Sequence, residues 1–407
     1  MLFASAQRFE SPSLLRDHPA VAYLKTPPQD PVSALGQRLE SGDLTLRYEP
    51  ANGYLRSVLD ALGISTTSQL LVFSKTSFQA PRITPANPRA LFFNDSVAVG
   101  WVRGGEVLEL MAQDPRQGTM FYTLQQDPAA PRLQRNASCL SCHTSEATAY
   151  VPGWFLGSVF PAPDGTTTYG PAYTTDHRMP FMLRWGGWYV TGSHAIERHQ
   201  GNAVVTNPSD LAAMVTPATL HVDSLEDRFD RTGYPGQFSD IVALLVLEHQ
   251  ATMHNLITRA GWEARAALAA SRGPSDTIAD LVNYLLFVDE APLSGPVAGR
   301  SGFAAWFSAQ GPRDSKGRSL RDFDLTSRLM RYPCSYLIYS PAFDALPDDV
   351  RSAVYARMWQ VLSGADAGPR YSTLSATDRE AVIEILSETK PGLPAYFKPA
   401  SPASSAE

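Results

Sequence analysis

Between residues 69 and 126 the apolar positions come in short blocks at 70–73, 90–93, 97–102, 107–110 and 119–124, with turn residues such as Asn94-Asp95 and Gly104-Gly105 between them. Blocks of four to six apolar and β-branched residues broken by Asn, Asp and Gly predict strands, so a small antiparallel sheet is expected here. Residues 1–69 mix Pro and Ser with two short helical stretches, 33–40 and 53–62, the second stopped by Gly63. They read as a lead-in that packs on the body. Residues 153–192 are rich in Gly, Pro, Thr and aromatics with no helical period, which predicts loops and a hairpin.

From residue 240 the period changes. Ile241, Leu244, Leu245, Leu247, Leu256 and Ile257 recur at helical spacing, predicting one long amphipathic helix over 240–271, interrupted or ended at Gly261. Further helices are predicted at 277–288, 302–309, 325–332, 348–362 and 376–388, the last with Ser375 as N-cap. The fold class expected is α+β: a small antiparallel sheet in the N-terminal half, a loop region in the middle and a mainly helical C-terminal half. The corresponding sections are 1–126, 127–235 and 236–398, with a disordered tail at 399–407.

With 44% hydrophobic and 18% charged residues the chain can bury a core of its own. Its 34 basic and 40 acidic residues, net charge −6, lack a like-charge run and disfavour nucleic acid as a partner. No stretch of about 18 apolar residues is present, so no transmembrane segment is expected. Only three cysteines occur, too few for a disulfide framework. Cys334 precedes an apolar stretch and reads as a buried, inert thiol.

The other two cysteines stand in Cys139-Leu140-Ser141-Cys142-His143. Two thiols on one turn reach the two vinyl groups of a haem, and the adjacent imidazole falls under the iron. One covalent haem c is therefore expected, held by Cys139 and Cys142 with His143 as proximal ligand. A zinc site lacks a second cysteine pair to complete it. Haem c is attached outside the cytoplasm, so a periplasmic or otherwise extracytoplasmic location is expected. The first residues lack the basic and apolar regions of a secretory signal, which suggests a trimmed form.

The second axial position decides what such an iron does: a protein ligand there favours electron transfer, an open position admits small molecules. Candidates are Met179, followed by Pro180; His194, at the end of an aromatic Gly-flanked stretch; and His249 or His254, which differ by about 140° around the helix and cannot easily share a metal. His194 and His199 are the acid–base candidates if the iron is open. His18 and His221 read as structural. For the haem propionates the basic residues considered are Arg82, Arg135, Arg178 and Arg184.

At Cys139–His143 the chain resembles the c-type cytochrome superfamily, although a strand-rich section before the motif and non-helical residues after it depart from a small cytochrome c. The stretches 73–79 (Phe-Ser-Lys-Thr-Ser-Phe-Gln), 185–189 (Trp-Gly-Gly-Trp-Tyr) and 248–255 (Glu-His-Gln-Ala-Thr-Met-His-Asn) resemble a group of bacterial cytochrome c domain-containing proteins over about residues 70–397. That resemblance implies haem c and export and no known substrate. The expected function is an exported monohaem c-type cytochrome in electron transfer, working with a redox partner protein or a small-molecule donor or acceptor. The alternative is a haem c enzyme, peroxidase- or oxidoreductase-like, with an open distal site for a small molecule; a haem sensor is a third reading. No other catalytic motif is present.

Overall fold

All five predicted strand blocks form strands, and two more join them. The computed structural model describes residues 12–167, 169–269 and 277–397, so the expected tail lies outside the described residues. The strands are β1 (Leu70–Val72), β2 (Arg89–Phe93), β3 (Val97–Trp101), β4 (Val107–Asp114), β5 (Gly118–Gln125), β6 (Leu133–Arg135), β7 (Leu156–Phe160), β8 (Tyr169–Thr175), β9 (Trp188–Tyr189), β10 (Ser193–His194) and β11 (Val297–Ala298). One antiparallel sheet runs β6-β5-β4-β3-β2-β1-β9, seven strands rather than five. The aromatic loop region supplies β9, and β6 leads directly into the cysteine motif. The hairpin expected between 153 and 192 is β7–β8, with a register shift between Ser158 and Phe160.

The turns follow from their side chains. At β2–β3 the Asn94 Oδ1 accepts from the N–H groups of Ser96 and Val97 at 3.1 and 2.9 Å. At β4–β5 the Asp114 Oδ1 accepts from Arg116 and Gln117, both at 2.8 Å, before Gly118 takes φ +83°. Strand alternation then divides the sheet's two faces. Leu71, Phe92, Val99, Leu108, Leu110 and Leu124 face the lead-in, where Val32, Leu55 and Val58 cover them. Leu70, Val72, Leu91, Phe93 and Ala98 face the other way, onto Trp154, Trp185 and the long helix.

That helix, Ile241–Ala269, runs without a break through Gly261, contrary to the predicted interruption. A methyl group at 261 would meet Leu346 only at ordinary contact distance, so glycine there costs a little propensity and nothing in geometry. Residues 241–247 are all buried. Over this stretch the helix is a core element, with the sheet on one side and the C-terminal helices on the other, and it emerges towards its end, where Leu268 is exposed. It is opened by the buried Asp240. One carboxylate oxygen accepts from Val242 and Ala243, and the other from the N–H groups of Arg300 and Ser301, each at 2.8 Å.

The C-terminal helices are Thr277–Leu285, Phe303–Ser308, Pro341–Asp344, Asp348–Leu362 and Ala376–Thr389. Residues 325–332 are not helical. Leu325 takes φ +55°, its N–H turns back to Arg328 C=O at 2.9 Å and Phe323 bridges Met330, so a tight turn replaces the helix that the apolar spacing predicts. Ser375 caps the last helix through Asp378 N–H at 3.0 Å. Ser375→Ala is expected to cost about 1 kcal/mol in urea unfolding; an unchanged midpoint would show that this cap carries nothing. Among the described residues no helix is long and apolar enough to cross a membrane.

Candidate functional site

The motif is laid down at the edge of the large sheet. β6 pairs with β5, and Asn136 N–H then donates to Phe121 C=O at 2.8 Å, which keeps the chain against β5 as it turns. The Asn136 side chain accepts from Ser138 N–H at 3.1 Å, and a tight turn, Ala137–Cys139, runs into one helical turn, Leu140–His143. Leu140 is buried beneath the sheet and anchors this turn. Cys142 is exposed and Cys139 half-buried, both as free thiols. Burial, reinforced by the nearby Glu109 carboxylate, raises the Cys139 thiol above its ordinary pKa.

His143 is fixed from two directions by one residue. Its Nδ1 lies 2.8 Å from Gly153 C=O, and Gly153 N–H donates to His143 C=O at 3.0 Å. A carbonyl only accepts, so the proton sits on Nδ1 and the lone pair on Nε2 is left for a ligand. The ring stands between Phe121 and Phe155, at centroid distances of 4.9 and 5.0 Å. Burial lowers its pKa, which keeps the imidazole neutral and able to coordinate.

Beside the motif, on the sheet face that carries Phe121, Arg89 of β2 reaches across to Glu109 of β4 at 3.3 Å. Gly100 lies between them, and a methyl group there would meet Arg89 Nε at 2.8 Å. Ser77 and Gln79 donate to Glu109 Oε1, each at 3.3 Å. The Arg89 Nε is buried without a hydrogen-bond partner. Both Cys139 and His143 feel the charges of this pair. Neither residue stood among the predicted site residues. The available signal was a charged side chain next to or inside the apolar run of each of two strands, Arg89 before 90–93 and Glu109 within 107–112.

The basic residues considered for the propionates are placed differently. Arg82 pairs with Glu106 and Arg178 with Asp176. Arg135 donates to Tyr23 C=O and lies over the Tyr23 ring. Arg184 is fully buried 3.1 Å from Glu248 of the long helix, which removes it as a propionate partner.

Of the axial candidates, Met179 lines a cleft of about 560 Å³ with Glu146, Ala147 and Ala149, the turn that follows the motif, and with Thr252 and Asn255 of the long helix. Its loop is held from behind, since Arg184 donates to the carbonyls of Met179 and His177 at 2.7 and 2.9 Å. His194, on β10, is bonded to Leu220 C=O at 2.9 Å and lies 3.3 Å from His199. His199 accepts from Gly201 N–H, and burial pushes its pKa down to about 3. The His221 ring lies tilted against His194 at 5.0 Å, so these three imidazoles are grouped with one another.

His249 has both ring nitrogens engaged, by His177 at 2.8 Å and Ser335 at 2.7 Å, which leaves none for an iron. His254 faces another way, bonded to Asp95 C=O at 2.8 Å and packed on Trp154. His177 and His249 stack with Tyr284 and Phe287 in a buried aromatic layer. Near it, burial pushes the Glu290 carboxyl up to about 7. The proton is then held more tightly in the folded than in the unfolded chain, so unfolding free energy is expected to fall as pH rises from about 4.5 to about 7. Glu290→Gln should flatten that part of a stability profile, and an unaltered slope would assign it to other groups.

No protein-family model, no curated protein and no solved structure matches the chain.

Proposed function

We propose that the chain is an extracytoplasmic monohaem c-type cytochrome that passes single electrons between redox partners. The observation that carries this reading is the state of His143: Nδ1–H is tied to Gly153 C=O and Nε2 is free, one residue after two unbonded thiols on the same turn. In this reading Cys139 and Cys142 form the two thioethers, and His143 is the proximal ligand. Haem c, when bound, supplies a one-electron iron couple. The chain holds the imidazole neutral and oriented, and Phe121 and Phe155 shield it from water. In this reading Arg89, beside the motif, would meet a propionate through its guanidinium, with Glu109 holding it in position. Met179 is the candidate sixth ligand, on the wall of the cleft beside the motif turn.

A second reading, a haem c enzyme with an open sixth position, draws on the size of that cleft, which is within the range of small-molecule sites. Absorption spectra of the ferric and ferrous protein, with and without carbon monoxide, separate the two. A low-spin spectrum that carbon monoxide leaves unchanged is expected for the carrier. In that case Met179→Ala should give a protein that binds carbon monoxide when reduced. A high-spin wild type that binds it would instead establish the open site.

A further inference from the structure

The hydrogen bonding around His143 continues one step outward, onto the long helix. Asn255, 2% exposed, accepts from Trp154 N–H through Oδ1 at 3.0 Å and donates from Nδ2 to Trp154 C=O at 2.7 Å. Trp154 N–H and Gly153 C=O belong to one peptide group, a rigid plane whose donor and acceptor point in opposite directions. Asn255 Oδ1, that peptide and His143 Nδ1–H are therefore three members of a single hydrogen-bonded chain. A partner at one end polarises the group at the other.

Residue 153 must be glycine for this chain to close. A methyl group there would meet Asn255 Oδ1 at 2.1 Å and the Thr148 Cβ at 3.0 Å. The helix that presents Asn255 is anchored independently seven residues earlier, about two turns away, by the buried Glu248–Arg184 pair. Asn255 is thus a fixed group rather than a side chain that follows its neighbours.

We infer that Asn255 is a positioning residue of the haem site: through the single peptide between Gly153 and Trp154 it sets how strongly His143 Nδ1–H is held, and hence how strongly Nε2 donates to iron. This rests on the haem reading above. A firmly held Nδ1–H makes the imidazole a more basic ligand and favours ferric iron. Loosening it favours ferrous iron.

The test uses the full chain with its haem attached, as wild type, Asn255→Ala, Asn255→Asp and Gly153→Ala. Asn255→Ala removes both clamp bonds, and Gly153→Ala pushes the clamp away by contact. Both are expected to raise the ferrous-to-ferric ratio at a fixed potential by about tenfold, an upward shift of about 59 mV in midpoint. Both should also move the His143 Nδ1 proton upfield in the NMR spectrum of the reduced protein. Asn255→Asp keeps an oxygen for Trp154 N–H and, protonated in this buried site, an O–H for Trp154 C=O, and should stay close to wild type, a rescue that a general loosening of the core would not give. Haem-loaded Ala variants with unchanged midpoint and proton shift would overturn the inference, as would an Asp variant displaced as far as Ala. A wild-type chain without covalent haem would overturn the haem reading itself, and the inference with it.

Discussion

Changing Cys139 and Cys142 together to alanine is expected to abolish covalent attachment, so that acidified organic solvent extracts all haem from the variant and none from the wild type. The thioether carbon–sulfur bonds require these two sulfur atoms, and Cys334 is buried and cannot replace them. Each single variant keeps one bond and should retain haem through denaturation. Because Cys142 is exposed and Cys139 only half-buried at the margin of the core, the two changes remove little packed volume, and the circular dichroism of the variants should match the wild type. Haem that stays attached in the double variant, or a wild-type chain that carries none when produced with a haem c attachment system, would sink the proposal.

The largest stability effect is expected at Glu248. Its carboxylate is completely buried and faces the equally buried Arg184, whose remaining N–H groups hold the Met179 and His177 carbonyls. Glu248→Ala leaves that guanidinium in the core without its counter-charge, and such a change costs about 3–5 kcal/mol. Replacing both partners, Glu248→Gln with Arg184→Met, should cost less than Glu248→Ala alone, because no uncompensated charge remains. Denaturant unfolding of the two variants decides this. A loss below about 1 kcal/mol for Glu248→Ala would mean that Arg184 finds another partner or water. The same change should loosen the Met179 loop, read as a growing fraction of carbon monoxide-binding protein if Met179 ligates the iron.

The large sheet was legible because its signals are local. Alternating apolar blocks and the Asn94 and Asp114 turns specify strands through near neighbours alone. Ser375 was legible for the same reason, since a cap needs only the three residues that follow it. Where local signals conflict the reading failed: residues 325–332 have apolar residues at helical spacing, yet Leu325 takes φ +55° and its N–H turns back to Arg328 C=O, which closes a tight turn instead. Gly261 looked like a stop because glycine weakens an isolated helix, whereas this one is held by the packing of its buried first half.

The histidines show the limit more sharply. Sequence offered His194, His249 and His254 as axial candidates, and spacing on one helix set His249 and His254 on different faces. It could not show that His249 would be spent on His177 and Ser335, or that His194, His199 and His221 would gather together. Those partners come from other layers of the fold.

By itself the sequence determined the α+β order of elements and the five-residue motif that brings two thiols and an imidazole onto one turn, because both depend on spacings of a few residues along the chain. Only the tertiary structure decided that Gly153 returns to fix the His143 tautomer, that Asn255 holds Gly153, and that Arg89 and Glu109 meet over Gly100 beside the motif. Each is a hydrogen bond or ion pair between residues that lie from 10 to 101 positions apart in the chain. Its existence depends on how the sheet, the loop region and the long helix pack, and no local pattern encodes that.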